Sequence, residues 1–111
     1  MSKYRARKTP CAHGHVHASA REAKRCGELH LLLRAGEIGA LVVEPTFILE
    51  LDGEPIRMGS GHKAKYRPDF TYEERGRVVA EDVKGFIVRD FPLRAALFRH
   101  CYPNIELRIV K

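Results

Sequence analysis

At 111 residues the chain has room for one domain, a single sheet with covering helices, and not for two lobes. Hydrophobic residues at 44% and charged residues at 31% give an ordinary globular composition, which excludes a disordered or fibrous chain. Lys and Arg outnumber Asp and Glu by 20 to 14, a net charge of +6, so the expected partner is a polyanion. The longest apolar runs, such as Leu29 to Leu33 interrupted by His30, are far too short to cross a membrane. The opening MSKYRARK has no apolar segment of the secretory kind. A cytoplasmic protein is therefore expected, with Cys11, Cys26 and Cys101 as reduced thiols.

Residues 1–16 are expected to form a basic, flexible arm ahead of a single domain spanning 17–111. In the arm, Tyr4, Arg5, Arg7 and Lys8 suit either a phosphate backbone or a solvated tail. Cys11, His13, His15 and His17 alternate and would share one face of an extended strand. Zinc ligands usually come as Cys-x₂₋₄-Cys or His-x₃₋₅-His pairs, so the segment reads as exposed polar residues on an edge.

Ser19-x-x-Glu22 has the form of a capping box and predicts a helix from about Ala20 to Ala35, closed by Gly36 in the left-handed region. Glu22, Cys26, Leu29 and Leu33 fall on one stripe of that helix, so a carboxylate heads an otherwise apolar face. Leu41 to Leu51 predicts a strand in two parts around Pro45, then an Asp52-Gly53 turn and a loop through Gly59-Ser60-Gly61. A strand over Tyr66–Tyr72 would place Tyr66, Pro68, Phe70 and Tyr72 on one face and Arg67, Asp69 and Thr71 on the other. Glu73-Glu74-Arg75-Gly76 turns the chain into a return strand over Val78–Lys84. A second helix over Asp90–His100 carries Phe91, Ala95 and Phe98 on one side. Pro103 stops it, and Ile105–Val110 alternates as a last strand. The expected fold is α/β in the order α-β-β-β-α-β, a mixed central sheet flanked by two helices.

The hairpin carries the chemistry. Folding it at residues 73–76 brings Asp69 within one or two residues of the level of Asp82. Period-2 alternation puts Asp82 and Lys84 on one face and Glu81 and Val83 on the other. Strand interiors disfavour Asp, so two facing carboxylates require a counter-charge, and a divalent cation beside Lys84 meets that need. The competing reading is a solvated hairpin face with a weak surface ion pair, and for Glu22 a capping role alone.

Arg67-Pro68-Asp69-Phe70-Thr71-Tyr72, followed by Asp82-Val83-Lys84, resembles the PD-(D/E)xK signature of restriction-endonuclease-like nucleases. More narrowly, Ser19-x-x-Glu22-Ala23, Leu31-Leu32-x-x-Ala35-Gly36-Glu37-Ile38 and Glu81-Asp82-Val83-Lys84-Gly85 are similar to a small phage and prophage family of such nucleases. Leu93-Arg94, Leu97-Phe98 and Tyr102-Pro103 extend the likeness to the C-terminus. The resemblance implies a restriction-endonuclease-like core and a Mg²⁺- or Mn²⁺-dependent endodeoxyribonuclease acting in a bacterial host. Asp69 and Asp82 would hold the metal with the Val83 carbonyl, Glu22 would be an additional metal or water ligand, and Lys84 would orient the attacking water. Asp82 departs from the commoner Glu by one methylene, and Glu81 is an alternative ligand. Lys63, Lys65, Arg67, Arg94 and Arg99 are the cations expected to meet DNA.

Gly59-Ser60-Gly61-His62-Lys63 lacks phosphate-loop spacing, and no organic cofactor is expected. A domain this small would cut both strands only as a homodimer. A non-catalytic DNA-binding module and an accessory subunit of a phage recombination or packaging assembly are the rival readings.

Overall fold

The computed structural model describes residues 9–10, 16–17, 19–84 and 89–111. In chain order its elements are β1 (Thr9–Pro10), β2 (Val16–His17), α1 (Ala20–Arg34), β3 (Gly39–Val43), β4 (Phe47–Ile48) and β5 (Glu50–Leu51). They continue with β6 (Glu54–Pro55), β7 (Lys65–Tyr66), β8 (Phe70–Glu74), β9 (Arg77–Val83), α2 (Phe91–Cys101) and β10 (Ile105–Val110). The central sheet has the order β10-β9-β8-β3, with β10 parallel to β9 and the other pairs antiparallel. It is a mixed sheet between two helices, as the α/β reading expects.

The hairpin of β8 and β9 forms as its turn chemistry requires. Arg75 at φ 52° and Gly76 at φ 75° both occupy the left-handed region, the requirement of a two-residue turn that matches strand twist. That turn fixes Glu74 opposite Arg77 and, at the far end, Phe70 opposite Glu81.

Helix α1 starts at Ser19, whose extended backbone places Oγ 3.2 Å from the Glu22 N–H it accepts. It ends in a Schellman closure: Glu37 N–H donates to the Leu32 carbonyl and Gly36 N–H to that of Leu33, with Gly36 at φ 77°. Cys26 and Leu29 pack with Ile38, Phe70, Tyr72 and Val79 on one face of the sheet. The expected stripe stops there, because Leu33 is 38% exposed and Leu32 packs against the cluster instead. On the other face Phe91, Ala95 and Phe98 of α2 pack on Ala80, with Ile105, Leu107 and Ile109 of β10 alongside. Phe98 also stacks against Tyr66, at 4.8 Å between ring centroids.

Three segments differ from expectation. Leu41–Leu51 is broken into three strands rather than two. Pro45 separates β3 from β4, and the Asp52-Gly53 turn, at φ 53° and 80°, starts the short β5–β6 hairpin. Tyr66–Tyr72 is not one strand: Pro68 has no N–H for a ladder, so β7 leaves to pair with β4 and β8 begins afresh at Phe70. The break resets the alternation, and Tyr66 lies on the α2 face, opposite to Phe70 and Tyr72. Thr9–Pro10, assigned to the arm, pairs with Val16–His17, and His17 is buried, not an exposed edge residue. Cys11, His13 and His15 lie outside the described residues, as do residues 1–8.

Glu81 is fully buried in the α1 layer and sets how that helix sits. Arg25 grips it with two bonds, Nε to Oε2 at 2.7 Å and Nη2 to Oε1 at 2.9 Å, and the Tyr72 hydroxyl donates to Oε1 at 2.7 Å. Burial and this carboxylate push the Tyr72 phenol up to about 12. Breaking such a pair from one side leaves a charge in the interior. Arg25→Met is therefore expected to lower stability by about 3 kcal/mol in urea unfolding, and Glu81→Leu in the same chain to restore most of the loss. Equal stability of wild type and Arg25→Met would contradict this account.

Candidate functional site

Continuing the β8–β9 register one step past Phe70 and Glu81 sets Asp69 opposite Asp82. The next step sets Val83 opposite Pro68. Asp69 Oδ2 accepts the Val83 N–H at 2.7 Å, so the carboxylate closes the ladder where the strand has ended. Asp82 is 2% exposed and both of its oxygens are engaged. The Tyr66 hydroxyl donates to Oδ2, and Lys84 Nζ stands 3.6 Å from Oδ1. Lys84 also lies over the Phe91 ring, 4.5 Å from its centroid, so the first residue of α2 helps to seat the ammonium.

Glu22 enters from the first turn of α1 and is 5% exposed. Half of the expected capping box forms: Ser19 takes the Glu22 N–H, while the Glu22 side chain turns into the protein. Its carboxyl meets that of Asp69, and its Oε2 lies 3.0 Å from His17 Nδ1. Glu22, Asp69 and Asp82 thus form a row, with Asp69 opposite Asp82 in the strand register and its charge raising that neighbour.

Two of these carboxyls, Asp69 and Asp82, resist ionisation. Burial is the main cause that pushes Asp69 up to about 8, reinforced by the Glu22 contact and opposed by the Val83 N–H and Lys84. Burial likewise raises Asp82, and the neighbouring Asp69 charge adds to it. The Tyr66 donor and Lys84 act in the opposite direction. Tyr66 is itself raised, by burial and by its bond to Asp82. Asp69 and Asp82 therefore hold their protons more tightly than free carboxyls do. Among the described residues no three His, Cys, Asp or Glu side chains stand in a ready-made metal-holding arrangement. The donor set is nevertheless all hard oxygen, the kind Mg²⁺ and Mn²⁺ take.

Glu81, the alternative ligand, is excluded from this group because it points to the opposite face and is held by Arg25. Lys63, Lys65 and Arg67 alternate on the exposed side of the chain around β7, between the buried Ala64, Tyr66 and Pro68, and lead directly to Asp69. From Ile56 to Pro68 there is no Asp or Glu. The loop at Gly59–Gly61 is a closed turn, with Met58 N–H donating to the His62 carbonyl and Gly61 N–H to that of Met58. Arg94 is tied down by Asp90 at 2.9 Å and by the Lys65 carbonyl at 2.7 Å, so it struts α2 against β7. Arg99 is exposed on α2. The open clefts lined by Glu50, His100 and Cys101 and by Arg77 and Glu106 include none of the carboxyls in the row.

The family described as DUF1064, protein of unknown function, matches residues 1–111. The chain belongs to the DUF1064 family. No curated protein and no solved structure matches it.

Two members of the site in this DUF1064 chain are invisible to periodicity. Tyr66 is assigned to the wrong face by any count that runs through Pro68. His17 sits in an alternating Cys/His segment, and nothing local signals that its partner is five residues on, inside a helix. The Tyr66 signal that was available is the Pro at position 68, which marks a strand break.

The raised carboxyls fix the sign of a pH effect. The folded state holds a proton on Asp69 more tightly than the unfolded chain does, so this contribution is full below about pH 4 and is lost as pH rises through about 8. In chelator, the melting temperature of Asp69→Asn relative to wild type is expected to rise steadily from pH 4 to pH 8. A difference that stays flat over that range would show that folding does not raise Asp69.

Proposed function

We propose that this chain is a Mg²⁺- or Mn²⁺-dependent endonuclease that hydrolyses phosphodiester bonds in DNA, branched or otherwise structured phage DNA included. The observation that carries the reading is the row Glu22–Asp69–Asp82 with Lys84 beside it, at the end of a hairpin that the sequence marks as PD-(D/E)xK-like. Its restriction-endonuclease-like character is supported by the αβββαβ order of the main elements. The two helices on opposite faces of the mixed sheet support it as well.

Asp69, Asp82, the Val83 carbonyl and Glu22 would hold the cation, whose charge would offset the burial that raises Asp69 and Asp82. When bound, it polarises a phosphoryl oxygen and supplies hydroxide near neutral pH. Each of the chain's own groups has a definable task. Asp69 is oriented by the Val83 N–H, which Oδ2 accepts. Lys84, braced on the Phe91 ring, holds a positive charge next to the carboxylates, where negative charge would grow on the phosphoryl oxygens during attack. Lys63, Lys65 and Arg67 neutralise backbone phosphates leading to Asp69. The engagement of both Asp82 oxygens by Tyr66 and Lys84 favours a second reading, a DNA-binding module without catalysis.

Incubation with supercoiled, linear and four-way-junction DNA, in Mn²⁺ and in EDTA, separates the two. Cutting that needs Mn²⁺ is expected; metal-indifferent binding with every substrate intact would establish the module instead. Asp82→Asn should leave the metal-free melting temperature unchanged or raise it, weaken Mn²⁺ binding in calorimetry, and abolish cutting. Lys84→Ala should bind Mn²⁺ at least as well as wild type yet cut at least about 100-fold more slowly. Wild-type cleavage by either variant would remove its residue from the reaction.

Salt provides the independent check on the DNA-facing cations. The affinity for DNA should fall steeply with salt, and each of Lys63→Ala, Lys65→Ala and Arg67→Ala should reduce the log–log slope by about 1. A slope unchanged in all three would place the DNA elsewhere on the surface.

A further inference from the structure

We infer that His17 is the positioning residue for Glu22, which makes the N-terminal β1–β2 ribbon a working part of the site. The inference rests on the cation reading above and names what holds its outermost carboxyl in place.

A glutamate has three side-chain torsions to fix, and at this position His17 helps to fix them. In a capping box the Glu side chain would bend back to the backbone N–H of the cap. Here Ser19 makes its half of the box and Glu22 turns inward, beside Asp69. His17 meets it there. Its Nδ1 lies 3.0 Å from Glu22 Oε2, and towards an ionised Glu22 it acts as donor in the tautomer with the proton on Nδ1.

The donor is stiff as well as close. His17 is 1% exposed, and its ring leans on Phe70 at 6.0 Å between centroids and 52° between planes. Phe70 is the residue after Asp69 and is fully buried in the α1 layer. One aromatic side chain thus references the imidazole to the same strand that carries Asp69. β2 holds the backbone of His17 through its pairing with Thr9 across the ribbon. An imidazole fixed in this way does for Glu22 what the Val83 N–H does for Asp69 and the Tyr66 hydroxyl does for Asp82. Partners of this kind typically change metal affinity by about 10- to 100-fold when removed.

The test compares His17→Phe, which keeps the ring and loses the donor, with His17→Asn, whose amide nitrogen can replace Nδ1. Melting temperatures first identify whether each variant is folded. Mn²⁺ affinity by calorimetry should fall about 10-fold or more in His17→Phe and stay within about 3-fold of wild type in His17→Asn. In a Glu22→Gln background, His17→Phe should cause no further loss, because its effect passes through that carboxylate. Wild-type affinity in folded His17→Phe would overturn the inference. So would losses from His17→Phe and Glu22→Gln that simply add.

A second readout does not need the metal. In the metal-free protein the ¹³C resonance of the Glu22 side-chain carboxyl should move on His17→Phe and return towards its wild-type place on His17→Asn. If wild type fails to bind Mn²⁺, the cation reading falls and this resonance decides the role of His17 alone. A Glu22 carboxyl signal unchanged in His17→Phe would overturn that role.

Discussion

The pairing register of β8 with β9 is the constraint from which the rest of the molecule follows. It is set by two consecutive residues, Arg75 and Gly76, in left-handed geometry at the turn. From there every cross-strand neighbour is determined, down to Phe70 opposite Glu81 and, one step on, Asp69 opposite Asp82. A slip by one residue would move Asp82 to the layer of α1 and Glu81 to that of α2, and would separate both from their present partners.

Two neighbouring acids on β9 show how one strand serves two layers. Glu81 and Asp82 are both buried, yet their environments are opposite in kind. Glu81 has a guanidinium in bidentate contact and a phenol donor, so its charge is matched within the fold and it anchors a helix. Asp82 has a phenol, an ammonium at 3.6 Å and another carboxyl as neighbours, a mixture that leaves the group short of positive charge. A structural acid is satisfied by residues that surround it. An acid kept in a row with two others stays receptive to something from outside.

The legible parts of this fold are those governed by local rules. The capping serine, the Gly36 closure and the 3.6-residue pattern of Phe91, Ala95 and Phe98 place both helices. The turn at residues 75–76 and strict alternation place Asp69, Asp82 and Lys84 together, and all of this can be read from the chain. Tyr66 cannot be placed in that way, because a single proline resets the phase of the strand before it reaches the site. His17 is harder still. Its burial depends on a ribbon of four paired residues that has no hydrophobic pattern of its own and gains its place by packing on α1. Glu22 lies between these cases: the stripe revealed that it faces inward, while its contact with Asp69 depends on how Arg25, one turn further along the helix, docks on Glu81.

The outer strand β3 carries a one-residue irregularity between Gly39 and Val42, with Ala40 at φ 49° inside it and Glu44 at φ 52° just beyond. An open sheet edge is a template on which another chain can polymerise, and a kink of this kind spoils the template by twisting its donors and acceptors out of line. On this side of the sheet, resistance to fibrous assembly is built into the backbone path. On the other side, β10 runs for six regular residues, and the same protection falls to charge, through Glu106 and Arg108.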